Sequence, residues 1–180
     1  MKTLLHICCA PCSITCIEAL RAKGHLLTGF WYNPNIHPYQ EYKSRRDTLR
    51  NYAPAVDLPM LWEDSYGLRP FLTELGGRWE APERCGHCYA CRLEAAAQIA
   101  ASESFEAFTT TLLVSPYQDR ELLRELGQAA GERFGVTFLP EDFRPRFREG
   151  QNAAREQGLY RQKYCGCVFS EEERYKRAGT

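Results

Sequence analysis

Lys2-Thr-Leu-Leu-His-Ile7, followed by Cys8-Cys9-Ala-Pro-Cys12-Ser13 and then by Ile14, Ile17 and Leu20 at helical spacing, is the stretch that decides the fold. A short apolar run reads as a strand, and the segment from Ser13 to Lys23 reads as a helix with Gly24 as its C-cap. Strand, tight turn and helix form the first half of a β-α-β unit. His25–Tyr32 supplies the second strand, stopped by Asn33-Pro34-Asn35.

The alternation continues along the chain. Tyr39–Tyr52 reads as a charged helix ended by Pro54, and Val56–Trp62 as a weak strand whose Pro59 favours a sheet edge. Leu68–Leu75 is a short helix before Gly76-Gly77, and Cys85 to Ala101 is Ala-rich and helical. Phe108–Val114 has the strongest strand character in the chain. Glu121–Phe134 is a helix with Gly135 behind it, and Val136–Leu139 is a last short strand. Beyond Glu141 the chain is polar and Arg-rich, and Ser170-Glu171-Glu172-Glu173 has the form of a capping box opening a final helix. Strands separated by helices predict an α/β fold, a parallel sheet with helices on both faces. In such sheets ligands sit beyond the carboxyl ends of the strands, where the strand order reverses. Cys8 and Cys9 directly follow the first strand, so the site is expected there.

Composition narrows the function. With 180 residues a single domain spanning 1–180 is expected, residues 141–180 forming a C-terminal extension that packs at the active-site side. Lys plus Arg and Asp plus Glu both number 23, which argues against a tail-driven nucleic-acid binder yet leaves room for a local basic patch. A 44% hydrophobic, 26% charged chain is not disordered. No apolar run approaches the roughly 20 residues of a membrane span. Met1 to Ile7 is too short to read as a signal peptide, so a cytoplasmic setting is expected.

The nine cysteines fall into three tight groups, Cys8/Cys9/Cys12/Cys16, Cys85/Cys88/Cys91 and Cys165/Cys167. In a reducing compartment such groups point to metal or redox chemistry rather than to disulfide staples. Three thiols in a strand-to-helix turn meet backbone amides that favour thiolates and an anionic centre. Adjacent cysteines suit a polynuclear centre better than one small tetrahedral zinc. Cys85 and Cys88 share a helix face at i, i+3, a spacing common to zinc and iron–sulfur sites, and a zinc staple is the plainer alternative. Cys165-Gly166-Cys167 closes a small, strained ring if oxidised, which marks a labile bridge; extra metal ligands or two idle thiols are the alternatives.

Other polar groups carry less. His37 lies in a Pro-flanked loop and either binds substrate or shapes a turn. Tyr117 and Asp119 follow the strongest strand and should face the pocket. Between Asp142 and Lys163, Arg144, Arg146, Arg148, Arg155, Arg161 and Lys163 alternate with Phe143, Phe147, Tyr160 and Tyr164. That pattern suits phosphate contacts and base stacking, and also a solvated charged helix. GxGxxG, GxxxxGK[ST], HExxH and GxSxG are all absent, so electrons are expected from outside, delivered to a metal centre.

Taken together, Leu-Leu-His6-Ile-Cys8-Cys9-Ala-Pro-Cys12-Ser, Tyr32-Asn-Pro-Asn-Ile-His37-Pro, Glu-Arg-Cys85-Gly-His-Cys88-Tyr-Ala-Cys91-Arg-Leu, Thr-Thr-Thr-Leu-Leu-Val-Ser-Pro-Tyr117-Gln and Tyr-Cys165-Gly-Cys167 resemble the QueH family of cobalamin-independent epoxyqueuosine reductases. The resemblance runs in order from His6 to Ser170. It implies a HUP-class, Rossmann-like parallel sheet with an irregular, cysteine-containing C-terminal segment. It implies the last step of queuosine biosynthesis, deoxygenation of epoxyqueuosine at the wobble position of a tRNA anticodon. It implies a [4Fe-4S] cluster on Cys8, Cys9, Cys85 and Cys88, and a further metal ion, a mononuclear iron, beside it with Cys12 as the nearest ligand. It also implies a redox-active Cys165/Cys167 pair and a separate electron donor, a reductase or a ferredoxin or flavodoxin. In that frame His37, Tyr117 and Asp119 are candidate proton donors or hydroxyl ligands, and Arg144, Arg148 and Arg161 candidate tRNA contacts. Cys16 and Cys91 fall outside the family pattern. The rival readings are a zinc-stabilised RNA-binding module without catalysis, a nucleotide-dependent tRNA thiolase, which would need a phosphate loop where Cys-Cys-Ala-Pro-Cys stands, and a thioredoxin-like oxidoreductase, which does not need three cysteine groups.

Overall fold

The opening apolar run becomes β1 (Lys2–His6), and every residue in it after Lys2 is buried. The computed structural model describes residues 1–176. Five parallel strands, β1, β2 (Leu26–Trp31), β3 (Met60–Trp62), β4 (Ala107–Thr110) and β5 (Thr137–Phe138), form one sheet in the order β3-β2-β1-β4-β5. His6, at the carboxyl end of β1, registers with Phe30 on one side and Thr110 on the other. β1 and β4 lie inside the sheet and are covered on both faces, so their sequences are nearly continuous apolar or small-polar runs.

Helix α1 (Ala10–Ala22) packs against α2 (Tyr39–Ala55) and α6 (Phe147–Glu156), while α4 (Glu83–Ser102) packs on β1, β4 and α5 (Arg120–Phe134). α3 (Leu68–Leu75) and α7 (Val168–Lys176) complete the set. The chain moves outward from β1 through β2 to β3, then returns across the sheet to β4. The order therefore reverses between β1 and β4, and the crevice beyond their carboxyl ends is the ligand position such sheets offer.

Several boundaries differ from the sequence reading, each for a local reason. α1 begins at Ala10 rather than Ser13, because Pro11 falls in its first turn, where a missing N–H costs nothing. α2 carries Pro54 inside its last turn and closes after Ala55 through bonds from Val56 N to Ala53 O and from Asp57 N to Pro54 O. The strand expected over Phe108–Val114 stops at Thr110, and Thr111–Val114 turns into a 3-10 helix. The Thr110 hydroxyl accepts from Leu112 N at 3.1 Å, a local bond that competes with the sheet ladder. α7 starts at Val168, so Ser170 lies inside the helix and does not cap it.

α5 approaches β5 closely at Gly131, where an added Cβ would stand 2.6 Å from the Val136 carbonyl oxygen. Backbone cannot withdraw as a flexible side chain can. Gly131→Val is therefore expected to destabilise the protein by about 1–3 kcal/mol, since valine's slight helix preference over glycine returns only a few tenths. The measurement is a urea midpoint that falls at unchanged slope; an unchanged midpoint would mean that the helix does not lie this close.

Candidate metal centre and its flanking loops

The chain leaves β1 at the strand-order reversal and turns at once into α1. This places Cys8 on the turn, Cys9 at the N-cap of α1 and Cys12 in its first turn. All three thiols are buried and lie within 4.8 Å of one another, the tightest such grouping among the described residues. Cys8 Sγ and Cys9 Sγ are 3.9 Å apart. A tetrahedral ion with metal–sulfur bonds of about 2.3 Å sets its ligand sulfurs about 3.8 Å apart, so the trio fits a bound metal ion.

The thiols divide their protons unequally. Hydrogen bonds from Cys12 and Cys9, with one from Thr111, hold Cys8 well below the ordinary thiol range. Burial pushes Cys9 well up, and the bond with Cys8 pushes Cys12 up. Of the three, Cys8 is the thiol most readily ionised, and binding an ion would require the others to lose their protons as well. Thr111, on the turn after β4, cements this arrangement: its hydroxyl lies 3.3 Å from Cys8 Sγ, and it accepts from Cys8 N at 3.1 Å. One register away, His6 Nδ1 meets Thr110 Oγ1 at 2.8 Å, and His6 Nε2 meets Tyr32 O at 3.0 Å. Burial lowers the His6 pKa to about 4, so the ring is a neutral brace across β1, β4 and the end of β2.

Cys85 and Cys88 occupy the first two turns of α4 and are not part of the tight trio. Burial pushes both thiols up, and Cys165 adds to that push on each. Between the groups lies Arg92, one turn beyond Cys88 and 3% exposed. Its Nη2 donates to Cys88 Sγ at 2.9 Å and its Nε to Cys88 O at 3.0 Å. Among the described residues no carboxylate pairs with it, and its charge also acts on Cys8, on Cys91 and on Cys165. A buried guanidinium costs several kcal/mol unless negative charge meets it. Among the described residues, the groups its charge acts on most strongly are sulfurs.

The C-terminal segment closes over the same crevice. Gln162 Nε2 donates to Cys12 Sγ at 3.2 Å. His37 N donates to Gly166 O at 2.7 Å, and the Tyr164 hydroxyl donates to His37 O. Cys167 is buried and Cys165 exposed. Cys167 directly precedes α7; burial raises its pKa, and the backbone amides of Ser170 and Phe169 oppose that rise.

The remaining candidates are placed differently from one another. His37 is buried, with Nε2 2.9 Å from Pro34 O, its ring against Tyr66 and Phe71, and a pKa lowered by burial to about 4. Asp119 is the N-cap of α5, accepting from Leu122 N at 3.1 Å. Tyr117 is 85% exposed. Arg144 forks onto Asp142, with Nη2 at 2.6 Å and Nε at 2.7 Å. Arg148 and Arg161 are exposed and form no ion pair among the described residues. Arg146, beside them, is tied to Glu18 and Glu149. Cys16 is buried and donates to Cys12 O at 3.2 Å, and Cys91 donates to Cys88 O at 3.4 Å.

Four groups escaped the sequence reading: Arg45, Arg92, Thr111 and Gln162. Arg92 had a signal, a cation one turn after Cys88 on the same stripe of an Ala-rich helix. Thr111 sat in a run read as strand. Arg45 and Gln162 reach the site across long sequence separations and left no local mark.

Comparison with known proteins agrees with this geometry. The family model described as epoxyqueuosine reductase QueH matches residues 3–173. A protein of Dehalococcoides mccartyi named epoxyqueuosine reductase QueH is 33% identical over 174 residues, covering 97% of this chain and 94% of the relative. The protein of that name from Thermotoga maritima is 36% identical over 181 residues, covering 95% and 91%. In the one from Helicobacter pylori, 37% identity extends over 179 residues, 93% of this chain and 48% of a longer relative. With a match across nearly its whole length and its cysteine turn at the strand-order reversal, the chain belongs to the epoxyqueuosine reductase QueH family.

Proposed function

We propose that this chain is an iron–sulfur epoxyqueuosine reductase that removes the epoxide oxygen of epoxyqueuosine at the wobble position of tRNA, giving queuosine. The observation that carries the reading is an all-sulfur donor set facing Arg92, a buried cation with no carboxylate partner among the described residues. That environment favours an anionic, thiolate-bound centre over neutral thiols. Cys8, Cys9, Cys85 and Cys88 would hold a [4Fe-4S] cluster, and Cys12 a mononuclear iron beside it. A cluster spreads its ligands over separate metal ions, which accords with Cys85 and Cys88 standing outside the tight trio. When bound, these metals supply one-electron transfer and Lewis acidity toward the epoxide oxygen.

The chain's own residues account for the rest. Converting an epoxide to an alkene takes two electrons and two protons and releases water. The Cys165 and Cys167 thiols together hold two electrons and two protons, and on oxidation they form one disulfide. Epoxide plus dithiol therefore balances as alkene plus disulfide plus water. An external donor of the ferredoxin, flavodoxin or reductase class returns the disulfide to the dithiol. Of the three candidate proton donors, Tyr117 is free to meet a substrate, whereas Asp119 is engaged in capping and His37 is held neutral and enclosed. Arg148 and Arg161, with Arg144 if it exchanges Asp142 for phosphate, contact the tRNA backbone. The target nucleoside is splayed from the anticodon loop into the crevice.

The test is an anaerobic assay of the metal-loaded protein with dithionite and epoxyqueuosine-bearing tRNA, read by nucleoside mass spectrometry. Appearance of queuosine is expected; a colourless zinc protein that leaves epoxyqueuosine unchanged would favour a zinc-stabilised RNA-binding module. For the interface, the Arg148→Ala, Arg161→Ala double variant is expected to weaken tRNA binding. It should also flatten the slope of log affinity against log salt by about 1.5, at about 0.7–0.9 per lost phosphate contact. An unchanged slope would move the RNA footprint elsewhere.

A further inference from the structure

The Cys165-Gly166-Cys167 turn lies in a segment with little regular structure, yet it is held at four points. Arg45 Nη1 donates to Cys165 O at 3.0 Å and Nη2 to Tyr164 O at 2.9 Å. On the other side, His37 N donates to Gly166 O, and the Tyr164 hydroxyl donates to His37 O. Gly166 has φ +121°, a conformation that side-chain-bearing residues rarely adopt. A Cβ there would stand 3.0 Å from Ile36 Cγ1 and 3.2 Å from Arg45 Nη1. The turn is thus pressed between the Asn33–Pro38 loop and one guanidinium.

That guanidinium is itself fixed. Arg45 is 1% exposed on α2, and its Nε donates to Glu41 Oε1 at 2.7 Å, one turn back. Glu41 Oε2 in turn accepts from the Tyr160 hydroxyl, at the start of the same C-terminal segment. The Arg45 charge also reaches Cys9 and Cys8 in the metal-binding turn. A single side chain therefore holds the Cys-Gly-Cys turn by hydrogen bonds while its charge acts on two cysteines of the trio. Lysine could not reproduce this, because a single ammonium lacks the planar fork that meets two carbonyls and a carboxylate at once.

We propose that Arg45 is a positioning residue that holds the Cys165-Gly166-Cys167 turn in the conformation from which its two thiols close to a disulfide beside the metal-binding cysteines. It rests on the reading of Cys165 and Cys167 as the dithiol of the reaction. Each closure oxidises two thiols to one S–S bond, and its two electrons and two protons go to the epoxide, which leaves as alkene and water. The reverse takes two electrons from an external thiol or reductase. With Arg45 in place the turn is ordered before closure; without it, closure must order the turn as well.

The experiment compares the metal-loaded wild type with Arg45→Lys, Arg45→Met and the surface control Arg50→Met, all handled without oxygen. Two readouts are taken: amide exchange at His37, whose N–H is held by Gly166 O, and the disulfide fraction of the Cys165–Cys167 peptide. The second is trapped by alkylation after equilibration in graded oxidised and reduced dithiothreitol. Both Arg45 variants are expected to exchange the His37 amide at least about tenfold faster. Their equilibrium constant for disulfide formation should fall about tenfold, equivalent to about 30 mV for this two-electron couple. Arg50→Met should change neither, and Glu41→Gln, which frees the guanidinium without deleting it, should move both in the same direction by less. Unchanged His37 exchange in both Arg45 variants overturns the clamp. Faster exchange with an unchanged disulfide equilibrium overturns the positioning role. Absence of the disulfide from the wild type at every ratio would instead remove the dithiol reading, and with it any redox role for the clamp.

Discussion

Cys9→Ala is expected to abolish both metal binding and queuosine formation. Cys9 caps α1, is 1% exposed, and brings its sulfur within 3.9 Å of Cys8. Its removal leaves the trio with two ligands. Loss of an outer-shell partner alone costs a metal site about 10–100-fold, so loss of a ligand should exceed about 100-fold in activity. The measurement is metal content and visible absorption of anaerobically purified protein, alongside the rate. Wild type should be brown and carry about four irons per chain or more, as a four-iron cluster requires. Full metal content in the variant would remove Cys9 from the centre. Retained activity without metal would remove the centre from the reaction. Since alanine is tolerated inside helices and costs only about 1 kcal/mol as a cap, global unfolding is not expected, and a thermal melt checks that directly.

Cys165→Ser should separate metal from turnover. Cys165 is exposed on a turn held through its own backbone carbonyl by Arg45, so the hydroxyl fits without disturbing the clamp. Metal content and colour should match wild type, while steady-state conversion with a physiological-type donor falls by more than about 100-fold, the loss expected when a group that exchanges electrons with the substrate is deleted. Cys167→Ser should behave alike in turnover but also lower stability slightly, because the change puts a hydroxyl where a buried sulfur stood. Wild-type turnover in either variant would take the dithiol out of the mechanism.

Much of this protein was legible in one dimension. Parallel sheet, flanking helices and an edge strand at Pro59 all follow from local apolar runs, glycine caps and proline positions, and the strand order β3-β2-β1-β4-β5 accords with them. Thr110 and Thr111 show where that reading failed. Their β-branched side chains favour strand, but one hydroxyl caps a 3-10 turn and the other holds Cys8. The same happened at Ser170, where a well-formed capping sequence lies inside a helix that already begins two residues earlier, at Val168.

Spacing within a turn is a local property, and so Cys8, Cys9 and Cys12 could be singled out as candidate ligands before any coordinates, though the sequence reading divided them between a cluster and a separate ion and did not group them as one trio. What surrounds them is not local. Arg45 meets Cys165 from 120 residues away, and Gln162 meets Cys12 from 150. Arg92 became significant only once the packing buried it with no carboxylate partner among the described residues. Charge compensation in a low-dielectric interior depends on which chains fold over one another, and no periodicity in the sequence encodes that. The residues that can bind metal were thus written in the chain, while the groups that set their charge and hold the neighbouring thiols in place were assigned by the packing.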